Sequence, residues 1–277
     1  PSSQDYSTIG GNIANNSAGP RAIKYGTPRD NILGLEFISG TGEIHKTGVK
    51  TSKGVVGLDL TRLFVGSEGV LGILSEATLK ILPLNNSVKT FEITFETLKS
   101  ASDMIIMLMT QPITPYKLEF VDEQSVKLIN SIKKNHFEIN TKSAVLLEID
   151  GDVDFIDIQS KKLLKLMQSK EHKKITIAEN KTEIAELWKA RKSLSPALKE
   201  IGGYKINEDI AVPISNLTRL LNNLSAISKK YGVRIVNFGH AGNGNIHVNL
   251  IFDTVKEKNS ENSKNCLNEI FDLVLDL

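Results

Sequence analysis

The most informative stretch of the sequence is residues 239–247, Gly239-His240-Ala241-Gly242-Asn243-Gly244-Asn245-Ile246-His247. Apolar segments at 233–238 and 248–252 flank this stretch, so the pattern predicts a strand–turn–strand unit with both histidines at its mouth. Imidazole is the commonest protein ligand for transition metals, and this turn also carries two asparagines. The turn therefore indicates a site for a small polar ligand, with or without a metal, although a glycine-rich hairpin with solvated histidines is the alternative. Two histidines are too few for a complete metal site, so at least one further ligand is expected from elsewhere.

The rest of the sequence falls into two parts of different character. Residues 86–277 alternate helix-like and strand-like segments, which predicts an α+β domain with an antiparallel sheet. Residues 1–85 are rich in glycine and small residues, with short strands and a hairpin signal at 40–43. We therefore predict a first domain over 1–85 and a second over 86–277, which contains the histidine turn.

Composition excludes several classes of protein. The 277 residues carry a formal net charge of only +2, which provides no electrostatic basis for binding nucleic acid. Cys266 is the one cysteine, so this chain can form no internal disulfide and no cysteine-ligated iron–sulfur cluster, and we expect a reducing, cytoplasmic location. No apolar stretch approaches the roughly 20 residues of a transmembrane helix. The chain begins within loop-like sequence and ends within helix-like sequence, so we expect a fragment at both ends.

Two glycine-rich segments of the first part are candidate cofactor loops. Residues 8–20 and residues 66–73 have small side chains and accessible backbone N–H groups, so their backbone can approach a phosphate or a flat ligand closely. Neither of the two common nucleotide-binding glycine fingerprints occurs in them. A purely structural turn is the alternative for each segment.

Arg191 is a candidate carboxylate ligand because its planar guanidinium can pair with a carboxylate through two hydrogen bonds. It follows Trp188 on a helix predicted over 181–199, and the alternative is an ordinary exposed helical arginine. Lys205 and the pair Glu208-Asp209 on the next predicted strand are weaker signals. Three further histidines are expected at the surface: His45, His136 and His172.

Taken in order, residues 8–20, 24–30, 59–73 and 239–247 resemble the FAD-linked oxidases. Within that family they are most similar to the group of the glycolate oxidase FAD-linked subunit and the D-lactate and D-2-hydroxyglutarate dehydrogenases. The turn is similar to the family motif Gly-His-x-Gly-Asp-Gly-Asn-x-His, with Asn243 where the family has aspartate. The resemblance implies the C-terminal part of a vanillyl-alcohol-oxidase (PCMH) type FAD-binding domain, followed by a ferredoxin-like α+β cap domain with an antiparallel sheet.

The resemblance also implies roles for individual residues. His240 and His247 would bind a divalent metal (zinc, manganese or iron), and Arg191 would pair with the substrate carboxylate, which makes these three the candidate catalytic residues. We assign Lys205 and Asn245 as further substrate contacts. A flavin loop is expected before Pro1, and a Ser-Gly-Glu-His-Gly segment after Leu277 would supply the third metal ligand and the base. The residues expected to line FAD are Gly10, Gly11, Asn12, Ala14, Glu68, Gly69, Gly72 and Ile73.

The function implied is FAD-dependent oxidation of a small 2-hydroxy acid, glycolate or D-lactate, to the 2-oxo acid. We expect the histidine turn and the glycine loops to face each other across one pocket. Electrons would leave to an iron–sulfur partner subunit, through which the protein would associate peripherally with the inner face of the membrane. This chain alone is expected to be inactive. The alternatives are a non-catalytic fragment or binding module, and an FAD oxidoreductase that acts on a different alcohol.

Overall fold

The computed structural model describes residues 3–51, 53–178, 180–201 and 203–277. Contacts between Cα atoms divide the chain into two compact units, residues 1–84 and residues 85–277. Each unit has its own sheet, and the two sheets share no strand.

The first unit is a small sheet with short helices. Its elements are α1 (Ile9–Ala14), α2 (Ala22–Tyr25), α3 (Pro28–Asn31), β1 (Ile32–Ile38), β2 (Ile44–Gly48), α4 (Leu60–Phe64) and β3 (Ile73–Leu79). Strand β1 lies between β2 and β3, and both pairings are antiparallel. Leu35 and Phe37 of β1 pack with Ile13, Phe64 and Val65 in a small apolar core.

The second unit is larger. It contains β4 (Ser87–Phe95), α5 (Leu98–Thr110), β5 (Lys117–Val121), α6 (Glu123–Ile132), β6 (Ser143–Gly151), α7 (Val153–Gln168), β7 (Lys174–Ala178), α8 (Lys181–Lys192), α9 (Leu194–Ile201), β8 (Tyr204–Ala211), α10 (Leu217–Tyr231), β9 (Arg234–Gly239), β10 (Asn245–Phe252), α11 (Val255–Lys258) and α12 (Glu261–Leu275). Its strands form one sheet in the order β7-β4-β6-β5-β9-β10-β8, and every pairing is antiparallel. The predicted α+β fold with an antiparallel sheet is confirmed.

The two faces of this sheet differ in chemistry because successive side chains of a strand point to opposite sides. On β4 the fully buried Phe91, Ile93 and Phe95 share one face, which is apolar. The alternate positions place buried carboxylates on the other face, Glu92 on β4, Glu148 on β6 and Glu119 on β5. We call this second side of the sheet the acidic face.

Helices α6, α8 and α9 cover part of the acidic face. Their apolar side chains form a core with Val121, Ala144, Val236 and Phe238 of the sheet. The helix predicted over 181–199 is divided in two, because α8 ends at Lys192 and α9 begins at Leu194. Helix α8 carries Trp188 and Arg191, which contact the buried carboxylates Glu148 and Glu119.

Burial overturns one expectation drawn from the sequence. His136 was expected at the surface, and this is wrong. Its side chain is only 7% exposed, and its Nε2 lies 2.9 Å from the Glu92 carboxylate. Cys266 is a buried free thiol on α12, and its burial raises the pKa to about 11. Within the described part of the chain, no helix is both long and apolar enough to cross a bilayer.

Candidate active site

The histidine turn joins β9 to β10 at the edge of the acidic face. A single 3₁₀ turn over Ala241–Asn243 follows His240, whose carbonyl accepts hydrogen bonds from the N–H groups of Asn243 (2.9 Å) and Asn245 (3.2 Å). The strand β10 begins at Asn245, earlier than the sequence predicted, so His247 lies within the strand and pairs with Phe238 of β9.

Two glycines make this turn possible. Gly244 has φ +69°, and a Cβ there would lie 1.9 Å from the carbonyl oxygen of Val212. Gly239 lies where the strands approach closely, and a Cβ there would lie 2.5 Å from the carbonyl oxygen of Asn245. Both glycines are therefore required by the path of the backbone itself.

Gly244→Ala is therefore expected to lower the free energy of unfolding by roughly 3 kcal/mol, through left-handed strain plus a backbone clash. Gly232→Ala is the matched control, since Gly232 has a similar φ of +64° but open space around the position of a Cβ. That control is expected to cost only about 1 kcal/mol, the strain alone. Urea unfolding of both variants measures the difference, and equal losses would contradict the clash with Val212.

Glu119 joins the turn to helix α8. The register pairs Phe120 of β5 with Gly239 of β9, which places Glu119 beside His240. One carboxylate oxygen of Glu119 accepts a hydrogen bond from His240 Nδ1, and the other lies 2.7 Å from Nη2 of Arg191. Burial alone would raise the pKa of Glu119, but the Arg191 guanidinium and the His240 hydrogen bond hold it below its usual value.

Arg191 is held on two sides. Its side chain is 10% exposed, and its Cζ lies 4.4 Å from the centre of the Phe238 ring. Its Nε is buried and has no hydrogen-bond partner within the described residues. An unpaired buried donor is costly, so a bound carboxylate that accepted from this guanidinium would remove that cost.

His247 has its own carboxylate. Its Nδ1 lies 2.8 Å from Oδ1 of Asp209 on β8, and this hydrogen bond is the main reason that the pKa of Asp209 is lowered. The rings of His240 and His247 lie 5.1 Å apart between centres and are nearly perpendicular. Each imidazole is thus held through Nδ1 by a carboxylate, which is the usual arrangement of metal-binding histidines that use Nε2.

The donor chemistry of this histidine pair suits a divalent transition metal, but two nitrogens do not complete its coordination. Among the residues that the structure describes, no group of three or more His, Cys, Asp or Glu side chains is arranged to hold a metal ion. Further ligands would have to come from a bound substrate or from outside the described residues.

The two other predicted substrate contacts, Asn245 and Lys205, differ in their distance from the histidine pair. Asn245 Nδ2 donates to Asp209 Oδ1 at 2.9 Å and to the Ile210 carbonyl, so this amide supports the partner of His247. Lys205 lies on the same strand as Asp209 but four residues away, about 13 Å along the strand. The structure therefore brings together Arg191, His240 and His247, but not Lys205.

Four polar residues of this face were missed or undervalued from the sequence. Glu119 and Glu148 interrupt otherwise apolar strands, and such a carboxylate in a buried strand is a signal that was available. Asp209 was noted only as a weak signal. Asn249 is 1% exposed, two residues after His247, and its Oδ1 has no hydrogen-bond partner within the described residues.

In the first unit, the two predicted cofactor loops lie side by side. The N–H of Gly66 donates to the carbonyl of Ile13 at 3.0 Å, and that of Glu68 donates to Ala14 at 2.9 Å. A Cβ on Gly10 or Gly69 would meet nothing within 4 Å, so the backbone is open to a ligand at both positions. The second loop also exposes apolar side chains, including Val70 (85%) and Ile73 (70%). The region thus combines open backbone with an apolar wall, which suits a large flat cofactor.

Two known protein families match parts of the chain. Residues 84–277 match the family of FAD linked oxidases, C-terminal domain, and residues 1–48 match an FAD binding domain. The chain belongs to the FAD-linked oxidases, a family of flavin-dependent oxidoreductases.

Two individual proteins are similar to most or all of the chain. The chain is 35% identical to the glycolate oxidase subunit GlcD of Bacillus subtilis over 277 residues, which is 100% of this chain and 59% of that protein. It is 30% identical to a mitochondrial D-lactate dehydrogenase (cytochrome) of Arabidopsis thaliana over 254 residues, 91% of this chain and 44% of that protein. The chain thus spans about half the length of these relatives.

Solved structures support the fold alone. An alkyldihydroxyacetonephosphate synthase superposes with a TM-score of 0.74 at 17% identity, covering 100% of this chain and 54% of that one. A p-cresol methylhydroxylase with substrate bound superposes with a TM-score of 0.67 at 15% identity, covering 95% and 59%.

Proposed function

We propose that the protein containing this chain oxidises a small 2-hydroxy acid, glycolate or D-lactate, to the 2-oxo acid with FAD. The observation that supports this most directly is the adjacency of a buried arginine and two carboxylate-held imidazoles on the acidic face. A 2-hydroxy acid has the matching groups on adjacent carbons, a carboxylate and a hydroxyl. In this proposal residues 86–277 form the substrate domain and residues 1–85 form part of the FAD-binding domain.

Arg191 is proposed to bind the substrate carboxylate. Glu119 occupies one guanidinium nitrogen, which leaves other N–H groups for a two-point hydrogen bond. Packing against Phe238 fixes the plane of the guanidinium and therefore the direction from which a carboxylate binds.

His240 and His247 are proposed to hold a divalent metal through Nε2 and to orient the substrate hydroxyl. A metal bound there would lower the pKa of the hydroxyl, as it does for water. Glu119 and Asp209 keep both rings in place by accepting from Nδ1. The protein thereby presents the carboxylate and hydroxyl of the substrate in one orientation, which fixes the position of C2.

FAD, when bound, would accept the hydride from C2 of the substrate. The open backbone at Gly10 and Gly69 and the apolar side chain of Ile73 are proposed to contact this cofactor, as are Gly11, Asn12, Ala14, Glu68 and Gly72. Because GlcD is by name a subunit, we also propose a partner that takes electrons from the flavin, an iron–sulfur protein. With a single cysteine in the chain, we place the protein in the cytoplasm, peripheral to the membrane through that partner.

The test is flavin reduction in the full-length protein loaded with FAD under anaerobic conditions. Glycolate or D-lactate is expected to remove the absorbance of oxidised flavin, and the resulting 2-oxo acid is identified by chromatography. L-lactate is the stereochemical control and an aryl alcohol the control for a different substrate class. If an aryl alcohol reduces the flavin and no 2-hydroxy acid does, the proposed substrate class is wrong.

A further inference from the structure

Among the described residues, Glu119 is the one carboxylate that contacts both the proposed metal ligand His240 and the proposed carboxylate ligand Arg191. It is only 2% exposed, and its two oxygens are divided between these partners. The two proposed binding functions therefore meet at a single side chain of β5.

We propose that Glu119 is a positioning residue that holds the proton of His240 on Nδ1 and so directs the Nε2 lone pair toward the metal. This inference rests on the proposed function for the identity of the ligands. The position of the proton itself is a property of the protein without metal or substrate.

The hydrogen-bonding groups place a proton on His240 Nδ1. Arg191 can only donate, and an ionised carboxylate can only accept. With Arg191 on one oxygen, the other oxygen of Glu119 must receive a proton from His240 Nδ1. A neutral imidazole that carries its proton on Nδ1 has its lone pair on Nε2, where a metal can bind.

The second histidine is held less firmly. Asp209 is 60% exposed, compared with 2% for Glu119, so water can replace its hydrogen bond to His247. Control of the proton position is therefore expected to be stronger at His240 than at His247.

Glu119→Gln tests this because an amide offers one acceptor and one donor in place of two acceptors. Arg191 requires the acceptor, so the amide NH₂ must face His240 Nδ1. That nitrogen must then accept, which moves the proton to Nε2 and removes the metal-binding lone pair. The substitution thus changes the state of His240 while leaving both His240 and Arg191 in place.

Glu148→Gln is the matched control. Glu148 is 3% exposed and lies on the same face of the adjacent strand. Its Oε1 accepts from the Lys117 ammonium at 2.5 Å, and its Oε2 accepts from Thr90 Oγ1 at 2.9 Å and Trp188 Nε1 at 2.6 Å. It contacts neither histidine of the turn. An effect of a buried amide on stability or on metal binding in general therefore occurs in both variants. Only Glu119→Gln is expected to change the tautomer of His240.

The first measurement is nitrogen-15 NMR of the histidine rings in the metal-free full chain. Wild type and Glu148→Gln are expected to show His240 protonated on Nδ1, and Glu119→Gln to show it on Nε2. Protonation on Nε2 in wild type would overturn the proposal by itself, whether or not the variant folds.

The second measurement is a titration with Zn²⁺ followed by calorimetry. Glu119→Gln is expected to weaken binding by about 10–100-fold, and Glu148→Gln to leave it within about 3-fold. Equal weakening in both variants would overturn the proposal. If wild type binds no Zn²⁺, the metal assignment of the proposed function fails, while the NMR result still decides the role of Glu119.

Discussion

Arg191→Met is expected to lower the free energy of unfolding by about 3–5 kcal/mol at pH 7, because it leaves the Glu119 carboxylate buried without its cation. Methionine retains much of the volume and can still pack on Phe238, so the loss reports charge rather than a cavity. Urea unfolding monitored by circular dichroism measures it. Arg234→Met is the control, since Arg234 is exposed at the start of β9, and its expected effect is within about 0.5 kcal/mol.

The loss is expected to depend on pH in a defined direction. In wild type the lowered pKa of Glu119 contributes stability above the ordinary value of 4.5, and this contribution disappears as pH falls through the lowered pKa. Without Arg191, burial becomes the dominant influence and raises the pKa, so the variant instead gains stability as pH falls. The difference between wild type and variant is therefore largest near neutral pH and shrinks toward acid.

A double variant separates the charge from other effects of the substitution. Glu119→Gln with Arg191→Met removes both charges and is expected to be more stable than Arg191→Met alone. If the double variant is no more stable than the single one at pH 7, an unpaired Glu119 charge is not the cause of the loss.

His240→Ala is expected to slow flavin reduction by a 2-hydroxy acid about 10³-fold in the full-length protein loaded with FAD, with loss of bound metal. The reason is that the substrate hydroxyl loses the charge that would stabilise its oxygen as the proton leaves. His240→Ala leaves Arg191 and its contact with Glu119 in place, so binding of the substrate carboxylate is expected to be weakened much less. Anaerobic stopped-flow measurement of the flavin gives the limiting rate and the substrate affinity separately.

His172→Ala is the control for this variant. His172 lies in the second unit, where its Nδ1 contacts the carbonyl of Lys170, and it has no link to the turn. Its substitution is expected to leave metal content and flavin reduction unchanged. Metal retained by His240→Ala, with an unchanged limiting rate, would refute metal assistance while leaving a flavin oxidoreductase possible.

Local patterns were sufficient to predict much of the architecture. The alternation of helices and strands after residue 86 predicted an α+β domain, and the chain does form a seven-stranded antiparallel sheet there. The motif at 239–247 resembled the FAD-linked oxidases, and the family comparison confirms that membership. These features depend on residues close together in the chain, where spacing alone carries the information.

The burial of individual side chains was predicted less well, because polar neighbours in the sequence do not always indicate an exposed position. His136 has lysine and asparagine as chain neighbours, yet it is buried against Glu92. The break between α8 and α9 was also missed. Both depend on how elements pack, which overrides local preference.

The sequence was enough to single out Arg191, His240 and His247 as candidates. The two histidines were recognisable from their spacing in a glycine-rich turn, and Arg191 from its place after Trp188 together with the family resemblance. The sequence contained no indication that Glu119, more than 70 residues from Arg191 and more than 120 from His240, is the acid that both of them contact. That juxtaposition arises from the pairing of β5 with β9 and from the path of α8 across the sheet. A carboxylate acquires a role only through the groups that the folded chain brings within hydrogen-bonding distance, and hydrogen bonds between distant residues leave no periodic trace in a sequence.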